Sequence, residues 1–407
     1  MPLSLKHTID NRFMIEKKIA LVTCYFQPNY GSQLQAYATQ MAFDKLGLDN
    51  ETICIDGLKS EISKAKYKYF LSRIFVPQTV KDKFRTIQMV WNRKTNKKYD
   101  ANIKERWKMF ADFANTMFHV SKRYNSKSEL TADAHNYCAF VVGSDQLWLP
   151  SNIAADYYTL NFVPKDICKI SLATSFGISH LPKKQADLAA KFLKRIDFVS
   201  VREDTGKKLV KELADRDVPV VCDPTLMFTA NDWNRIVPLE RLYNEKYIFC
   251  YFLGNNPEQR KFVKKYAIKT GCRIVDMQHC EEFIKCDVGF ADYSPYNVGP
   301  KEFIQLIRDA EYVFTDSFHC SVFSMLYSKK FFVFRRFNNE GVASTNSRIY
   351  SLLSLVHQEQ RLLRATENID ECIAMNIDYT QVHADIDSLR KFTWDWLQNA
   401  LKEKNIL

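Results

Sequence analysis

Residues 311–334 read EYVFTDSFHCSVFSMLYSKKFFVF, and this stretch decides the fold class. A short apolar run, Tyr312–Phe314, is followed by the helix-capping residues Thr315–Ser317 and then by apolar side chains at helical spacing. A second apolar run, Phe331–Phe334, closes the unit. The pattern predicts a strand, a turn, a helix and a second strand, which is the repeating unit of a parallel α/β sheet.

The turn of this unit places His319 within the first turn of the predicted helix. A helix N-terminus suits an anion because it presents unpaired N–H groups and a partial positive charge. A histidine at such a position can also move a proton near neutral pH. The alternative is an ordinary N-cap at Asp316 or Ser317, with His319 held by a local hydrogen bond. Spacing alone does not separate these two interpretations.

The length and composition indicate a globular protein of two domains. A chain of 407 residues is longer than one ordinary core, and its hydrophobic content of 46% is ample for two. No apolar run reaches the length of a transmembrane helix. The N-terminal residues, MPLSLKHTIDNRFMIEKK, lack the apolar segment of a secretory signal. We therefore expect a cytoplasmic protein, either free or at the inner face of the membrane.

The eleven cysteines fit a reducing compartment and do not indicate a metal site. Most of them lie within apolar runs, and no CxxC pair is present. Cys280 and Cys286 flank a short segment, but no second pair lies nearby, so the metal signal is weak. We expect no metal and no cofactor.

The net charge of +11 is concentrated between Lys59 and Lys127, where 18 Lys and Arg residues face five Asp and Glu residues. Tyr67, Phe70 and Leu71 form an apolar stripe among these lysines. A basic amphipathic helix of this kind can lie on an anionic membrane surface. A helical arm that packs its apolar stripe on the domain and solvates its basic face explains the same pattern, and we favour this second interpretation.

Nucleic-acid binding by the same segment would require a groove with aromatic stacking platforms. The segment is rich in aromatic residues, but several of them recur at helical spacing, which is typical of a packing face. We therefore expect no nucleic-acid partner.

The rest of the chain alternates between apolar strands and helices. Residues 18–26 predict a strand, and Asn29–Gln35 follow it at the carboxyl edge, where open α/β sheets bind ligands. Asp145, Arg202 and Asp223 likewise follow apolar strands. A single polar strand end is usually a helix cap, but several at one sheet edge favour a site.

The domain boundaries follow from the same pattern. We predict an N-terminal α/β domain at 15–235 with a basic helical insertion at 58–130, a C-terminal α/β domain at 240–384 and a C-terminal helix at 385–407.

Four motifs occur in an order that resembles the polysaccharide pyruvyl transferase family. They are NYGSQLQAYA (29–38), VVGSDQLW (141–148), FVSVRE (198–203) with VCDPTLMF (221–228), and TDSFHCSVFS (315–324). The resemblance implies a glycosyltransferase-B-like architecture, with two Rossmann-like domains that face each other across a cleft. It also implies polysaccharide biosynthesis, for example of an exopolysaccharide, by transfer of pyruvate from phosphoenolpyruvate to a sugar as a cyclic ketal.

The resemblance also implies roles for individual residues. His319 is the expected proton-transfer group and Arg202 a donor ligand. Asp145, from its position at a strand end, is a candidate acceptor ligand or base, and capping of the following turn explains it equally well. Some members of the family have an Arg two residues before the histidine, where this chain has Ser317. Ser317 with the helix N-terminus, or a nearby arginine, would then complete the anion site on the C-terminal, donor side. The candidate arginines are Arg335, Arg336 and Arg348.

The N-terminal domain is expected to bind the glycan acceptor, free or lipid-linked, through its strand-end motifs. The expected acceptor-binding residues are Asn29, Tyr30, Gln33 and Trp148. Two other functions stay open: a glycosyltransferase that uses a nucleotide sugar, and a non-catalytic sugar-binding protein of a polysaccharide assembly pathway.

Overall fold

The computed structural model describes residues 18–72, 90–91, 93–279, 283–336 and 347–407. Residues 73–89 of the predicted basic insertion and Cys280 lie outside the described residues. Within the described part the chain forms two sheets whose strands all pair in parallel. The two-domain α/β architecture predicted from the sequence is therefore confirmed.

The first sheet has six described strands, with short helices and loops between them. The strands are β1 (Lys18–Val22), β2 (Asn50–Cys54), β3 (Val120–Arg123), β4 (Tyr137–Val142), β5 (Cys168–Thr174) and β6 (Phe198–Val201). Their order across the sheet is β3-β2-β1-β4-β5-β6. The helices are α1 (Tyr30–Lys45), α2 (Lys59–Leu71), α3 (Lys97–Met117), α4 (Lys127–Ala132), α5 (Pro150–Ala155), α6 (Lys183–Leu193), α7 (Asp204–Ala214) and α8 (Ala230–Trp233).

The second sheet has five described strands in the order β11-β10-β9-β7-β8. The strands are β7 (Tyr247–Tyr251), β8 (Arg273–Asp276), β9 (Tyr312–Thr315), β10 (Lys330–Phe334) and β11 (Leu362–Leu363). The helices are α9 (Pro257–Thr270), α10 (Pro300–Asp309), α11 (Phe318–Leu326), α12 (Ser347–Leu355), α13 (Ile369–Ala374) and α14 (Tyr379–Glu403). None of the helices in the described ranges has both the length and the apolar character needed to cross a bilayer.

The stretch 311–334 forms the predicted unit of strand, turn, helix and strand. β9 and β10 pair in parallel, and α11 connects them. Ser317 is the N-cap of α11, since its side chain accepts from the backbone N–H of Cys320. The apolar residues of both strands are buried, because a strand inside a parallel sheet is covered on both faces.

The C-terminal helix α14 returns to the first domain. It begins at Tyr379, earlier than the sequence pattern indicated, because Asp378 caps its N-terminus. The Oγ1 of Thr393 accepts from the backbone N–H of Cys222 at 3.0 Å, and Trp394 donates from Nε1 to the carbonyl of Met227 at 3.2 Å. The last helix of the chain therefore ties the two domains together.

The basic insertion differs from its prediction in two respects. It is not entirely helical, because Val120–Arg123 returns to the sheet as the edge strand β3. Its polar sequence, VSKR, gives no apolar alternation that would predict a strand. Tyr67, Phe70 and Leu71 also do not form a packing stripe, since they are 62%, 38% and 40% exposed.

Helix α3 of the insertion holds the second domain through Arg106. This side chain is fully buried and donates to the carbonyls of Gln278 and Tyr296 at 3.1 Å and of Pro295 at 2.5 Å. A buried guanidinium that donates to three partly buried carbonyls has its own donors satisfied and provides donors for these acceptors. The insertion is therefore part of the interdomain contact.

Arg106→Ala should lower the free energy of unfolding by about 3 kcal/mol, because it removes a fully buried side chain and leaves three partly buried carbonyls without these donors. Urea denaturation followed by tryptophan fluorescence measures this change. Lys108→Ala, on the exposed side of the same helix, is the control and should change the stability by less than about 0.5 kcal/mol. Equal stability of the two variants would contradict the role assigned to Arg106.

Candidate active site

The ends of several elements meet at the junction of the two sheets. Asp145 follows β4, Arg202 follows β6, and His319 lies in the first turn of α11. They lie at or beside a cavity of about 240 Å³ between the domains. The polar side chains that line it belong to Gln27, Asn29, Ser32, Lys66, Asp145, Gln146, Ser151, Asn152, Ser317, His319, Arg336 and Arg348.

A buried carboxylate, Asp223, organises the floor of this junction. Its Oδ1 accepts from the backbone N–H and the hydroxyl of Thr225 at 3.0 and 2.7 Å. Its Oδ2 accepts from Ser144 Oγ and Arg202 Nη1, both at 2.7 Å, and lies 3.5 Å from Nε2 of His319. Burial favours the protonated acid, but the charges of His319 and Arg202 and these hydrogen bonds outweigh it and hold the pKa of Asp223 well below its usual range.

The imidazole of His319 is confined from the opposite side by Gly31, the second residue of α1. A Cβ placed on Gly31 would lie 2.0 Å from Nδ1 of His319, so no larger residue fits without displacing the ring. His319 is thus held between Gly31 and Asp223, which both belong to the first domain. This close approach explains why the NYGS motif needs glycine at its third position.

Asp145 lies in the cavity opposite His319 and has an unusual backbone conformation. Its φ of 76° falls in the left-handed region, which side-chain-bearing residues rarely adopt. Ser32 Oγ donates to its Oδ2 at 2.6 Å, and the N–H of Gln146 donates to its Oδ1 at 2.8 Å. Burial opposes ionisation, but the positive charges of His319 and Arg202 and the bond from Ser32 lower the pKa of Asp145.

Three cationic side chains from different elements converge on the same cavity. Lys66 comes from α2, Arg336 follows β10, and Arg348 lies in α12. Burial, together with the neighbouring charges of Arg202 and Arg336, lowers the pKa of Arg348 to about 9. Arg348 is buried and Lys66 and Arg336 are half-buried, so the positive charge that they share favours an anion in the cavity.

Arg202 lies beside this cavity and lines a second one. Its guanidinium stacks on the Phe318 ring at 4.4 Å and faces a cavity of about 350 Å³, which shares Phe318 and Arg348 with the first. Its side chain is 1% exposed, and its Nε and Nη2 atoms have no hydrogen-bond acceptor in the described part of the chain. Arg202 therefore presents buried donors at the boundary between the two cavities.

Of two further residues predicted for the donor site, one lines the cavity and the other does not. Ser317 lines the cavity as the N-cap of α11. Arg335 does not line it, because its guanidinium lies over the Tyr350 ring, 5.6 Å from the ring centre. The next residue, Arg336, occupies the place expected of Arg335.

Of the four predicted acceptor-binding residues, Asn29 lines the cavity and the other three have packing roles. Tyr30 donates its hydroxyl to the carbonyl of Val298 at 2.9 Å, across the domain interface. Gln33 donates to the carbonyl of Phe110 at 3.1 Å. Trp148 is fully buried and donates from Nε1 to the carbonyl of Tyr158 at 3.1 Å. These three side chains are used within the protein and do not line the 240 Å³ cavity.

The sequence did not identify Ser32 or Lys66 as residues of the cavity, and it did not indicate the structural role of Asp223. Ser32 lies in the predicted strand-end motif, and Asp223 was noted only as a strand end, so both had a weak local signal. Lys66 lies in the basic insertion among many similar lysines, and nothing in the local sequence distinguishes it. Among the residues that the structure describes, no group of three or more His, Cys, Asp and Glu side chains is arranged to hold a metal ion.

Similarity to solved structures concerns the fold. A protein from Listeria monocytogenes assigned as a UDP-N-acetylglucosamine 2-epimerase shares 10% identity, with 95% of this chain and 96% of that chain covered and a TM-score of 0.50. The UDP-GlcNAc 2-epimerase from Neisseria meningitidis, bound to UDP-GlcNAc, shares 10% identity over 94% of this chain and 100% of that chain, with a TM-score of 0.44. The glycosyltransferase SnogD from Streptomyces nogalater shares 10% identity over 96% and 100% of the two chains, with a TM-score of 0.41.

The first of these matches confirms the glycosyltransferase-B-like architecture. No curated protein sequence matches the chain. The sequence profile described as polysaccharide pyruvyl transferase matches residues 29–338, which include all four motifs and most of the cavity-lining residues. The chain therefore belongs to the polysaccharide pyruvyl transferase family.

Proposed function

We propose that the protein transfers pyruvate from phosphoenolpyruvate to two hydroxyl groups of a sugar, as a cyclic ketal in polysaccharide biosynthesis. One observation carries the proposal. A single interdomain cavity combines three cationic side chains and a helix N-terminus with two groups suited to proton transfer, His319 and Asp145. Family membership supports a transferase, and this combination supports an anionic donor.

Phosphoenolpyruvate carries a phosphate and a carboxylate, and the cavity offers cations to both. Arg336, Arg348 and Lys66 line it, and the unpaired N–H groups at the start of α11 add a partial positive charge. Ser317 stands where some family members have an arginine, and Arg348 supplies a guanidinium to the same cavity. Arg202 lines the adjacent cavity, where its Nη2 has no hydrogen-bond acceptor among the described residues and its Nε lies 3.8 Å from Oε2 of Glu203. Its role in the proposal is to add positive charge beside the bound anion.

The proposed reaction needs one proton donor and one proton acceptor. Protonation of the methylene carbon makes the central carbon electrophilic, and one sugar hydroxyl adds to it with loss of its proton. The phosphate then leaves with the electron pair of its C–O bond, and the second hydroxyl closes the ketal. Of the two hydroxyl protons, one balances the proton added to carbon, and the other leaves with phosphate or solvent.

We assign His319 as the group that protonates the methylene carbon. Asp223, fully buried and ionised, lies 3.5 Å from Nε2 of His319 and orients the ring, while Gly31 limits its movement. Asp145 is the proposed base, because its lowered pKa keeps it ionised within the same cavity. Asn29, Gln146 and Asn152 offer amide groups to the sugar hydroxyls.

The most direct test of the function is incubation with phosphoenolpyruvate and a panel of glycosides. The expected result is acceptor-dependent release of phosphate and a product heavier than the glycoside by one pyruvate less one water. Tight binding of a nucleotide sugar, with no binding of phosphoenolpyruvate, would instead support the glycosyltransferase alternative. Turnover with neither donor would support a non-catalytic sugar-binding protein.

His319→Asn should reduce acceptor-dependent phosphate release by about 10²–10⁴-fold, the usual contribution of a positioned acid or base. Its affinity for phosphoenolpyruvate, measured by calorimetry, should change little. His180→Asn, on an exposed loop, is the matched control and should retain wild-type turnover. Retained turnover in His319→Asn would remove this residue from the mechanism.

Arg336→Met and Arg348→Met should each weaken phosphoenolpyruvate binding by about 1.5–3 kcal/mol, the scale of a charged hydrogen bond. Arg202→Ala should weaken it by a similar amount. Arg335→Met removes a neighbouring charge of the same type that does not line the cavity, so it should leave the affinity within about twofold. Calorimetry on the four variants distinguishes a specific donor site from general electrostatic attraction of the anion to the protein. General attraction would be weakened to the same extent by all four substitutions.

Gly31→Ala should lower turnover by about 10²-fold, because the added methyl group displaces the imidazole of His319. Donor affinity should be largely retained. Combined with His319→Asn, the same substitution should cost little more, since both changes act on one group. Fully additive losses would show that Gly31 acts through something other than His319.

A further inference from the structure

Helix α2 of the basic insertion has an inner and an outer face. On the inner face Ile62 is buried, and Lys66 lines the proposed active-site cavity. The outer face is formed by Lys64, Tyr67, Lys68 and Leu71, which recur at intervals of three and four residues and therefore share one side of the helix. One short helix thus has the cavity on one side and solvent on the other.

The outer face leaves apolar surface in water. Tyr67 is 62% exposed and Leu71 is 40% exposed, and Phe70 at the edge of the same face is 38% exposed. Exposed apolar residues that are single and scattered need no explanation, but three within five residues of one helix form a patch. A patch of this kind indicates an interaction surface.

The charged side chains nearest the apolar residues are lysines, while Glu61, one turn before Lys64, pairs with Lys127 at 3.3 Å. Lys64 and Lys68 lie on the outer face, and no carboxylate among the described residues is within ion-pair distance of either one. Elsewhere in the insertion, Trp91 is 64% exposed, and the nearby Lys94 and Lys97 are exposed as well. Exposed aromatic and aliphatic side chains among lysines are the combination that interfacial membrane helices use.

We propose that the outer face of α2 docks on an anionic lipid bilayer. Tyr67, Phe70 and Leu71 enter the interfacial layer, while Lys64 and Lys68 pair with anionic headgroups. Positive charge beside the apolar residues favours a bilayer over an apolar protein groove as the occupant. In this orientation the helix lies in the membrane plane, and Lys66 on its inner face points away from the bilayer into the cavity. The proposal does not depend on the reaction proposed above.

Vesicle flotation with the full chain tests the proposal. Vesicles of phosphatidylcholine with about 30% phosphatidylglycerol should carry the protein upward, whereas pure phosphatidylcholine vesicles should carry far less. Tyr67→Ser with Leu71→Ser, and separately Lys64→Glu with Lys68→Glu, should each reduce the bound fraction at least about fivefold. The control, Ile268→Ser with Lys265→Glu, changes an exposed apolar residue and an exposed lysine on the second domain and should bind like the wild type.

Thermal unfolding followed by circular dichroism confirms that each variant folds. Absence of binding to the anionic vesicles overturns the proposal, and so does binding that survives both pairs of substitutions on α2. Light scattering of the protein alone addresses another occupant. A dimer that dissociates when Tyr67 and Leu71 are substituted would assign the face to a second copy of the chain and would also overturn the proposal.

Discussion

The carboxylate of Asp223 is the point on which the junction of the two domains depends. It is fully buried, accepts hydrogen bonds from Thr225, Ser144 and Arg202, and faces the imidazole of His319 from the other domain. A buried carboxylate without these partners would be costly, whereas one with all of them is rigid and stays ionised. The position of His319 therefore follows from groups in the first domain.

This dependence explains why the proposed site needs both domains. The second domain provides the helix start with His319 and Ser317, and the first domain provides Asp223, Gly31 and Asp145. The relative position of the domains is in turn maintained by contacts outside the cavity. These contacts are the Tyr30 hydroxyl on Val298, the Arg106 guanidinium on a loop of the second domain, and the return of α14 to the first domain. Residues that do not line the cavity thus set the distance between its two walls.

The local patterns of the sequence predicted the elements well but predicted the partners of individual side chains poorly. The unit at 311–334, the N-cap Ser317 and the strand-end position of Asp145 each have a signature within a few residues, and the structure contains all of them. Tyr30, by contrast, was expected to meet a sugar and instead bonds a carbonyl far along the chain, at Val298. A motif marks a residue as constrained, but it does not tell which way the side chain points.

Contacts between residues that are distant in the sequence were missed for the same reason. The contact between Gly31 and His319, and the entry of Lys66 into the cavity, join residues that are distant in the sequence and leave no local pattern. The edge strand β3 was predicted as helix because its four residues are mostly polar and pair on one side only. The exposed face of α2 was expected to be a packing face, since periodicity identifies an amphipathic helix without identifying what covers it.

In the proposed reaction His319 protonates the methylene carbon of phosphoenolpyruvate, while a sugar hydroxyl adds to the neighbouring carbon. Reaction with phosphoenolpyruvate and an acceptor glycoside in D2O, followed by NMR of the product, tests this claim most directly. We expect a ketal whose methyl group carries one deuterium from the solvent, together with free phosphate. A product without solvent deuterium in that group, or transfer of phosphate instead of pyruvate to the sugar, would contradict it.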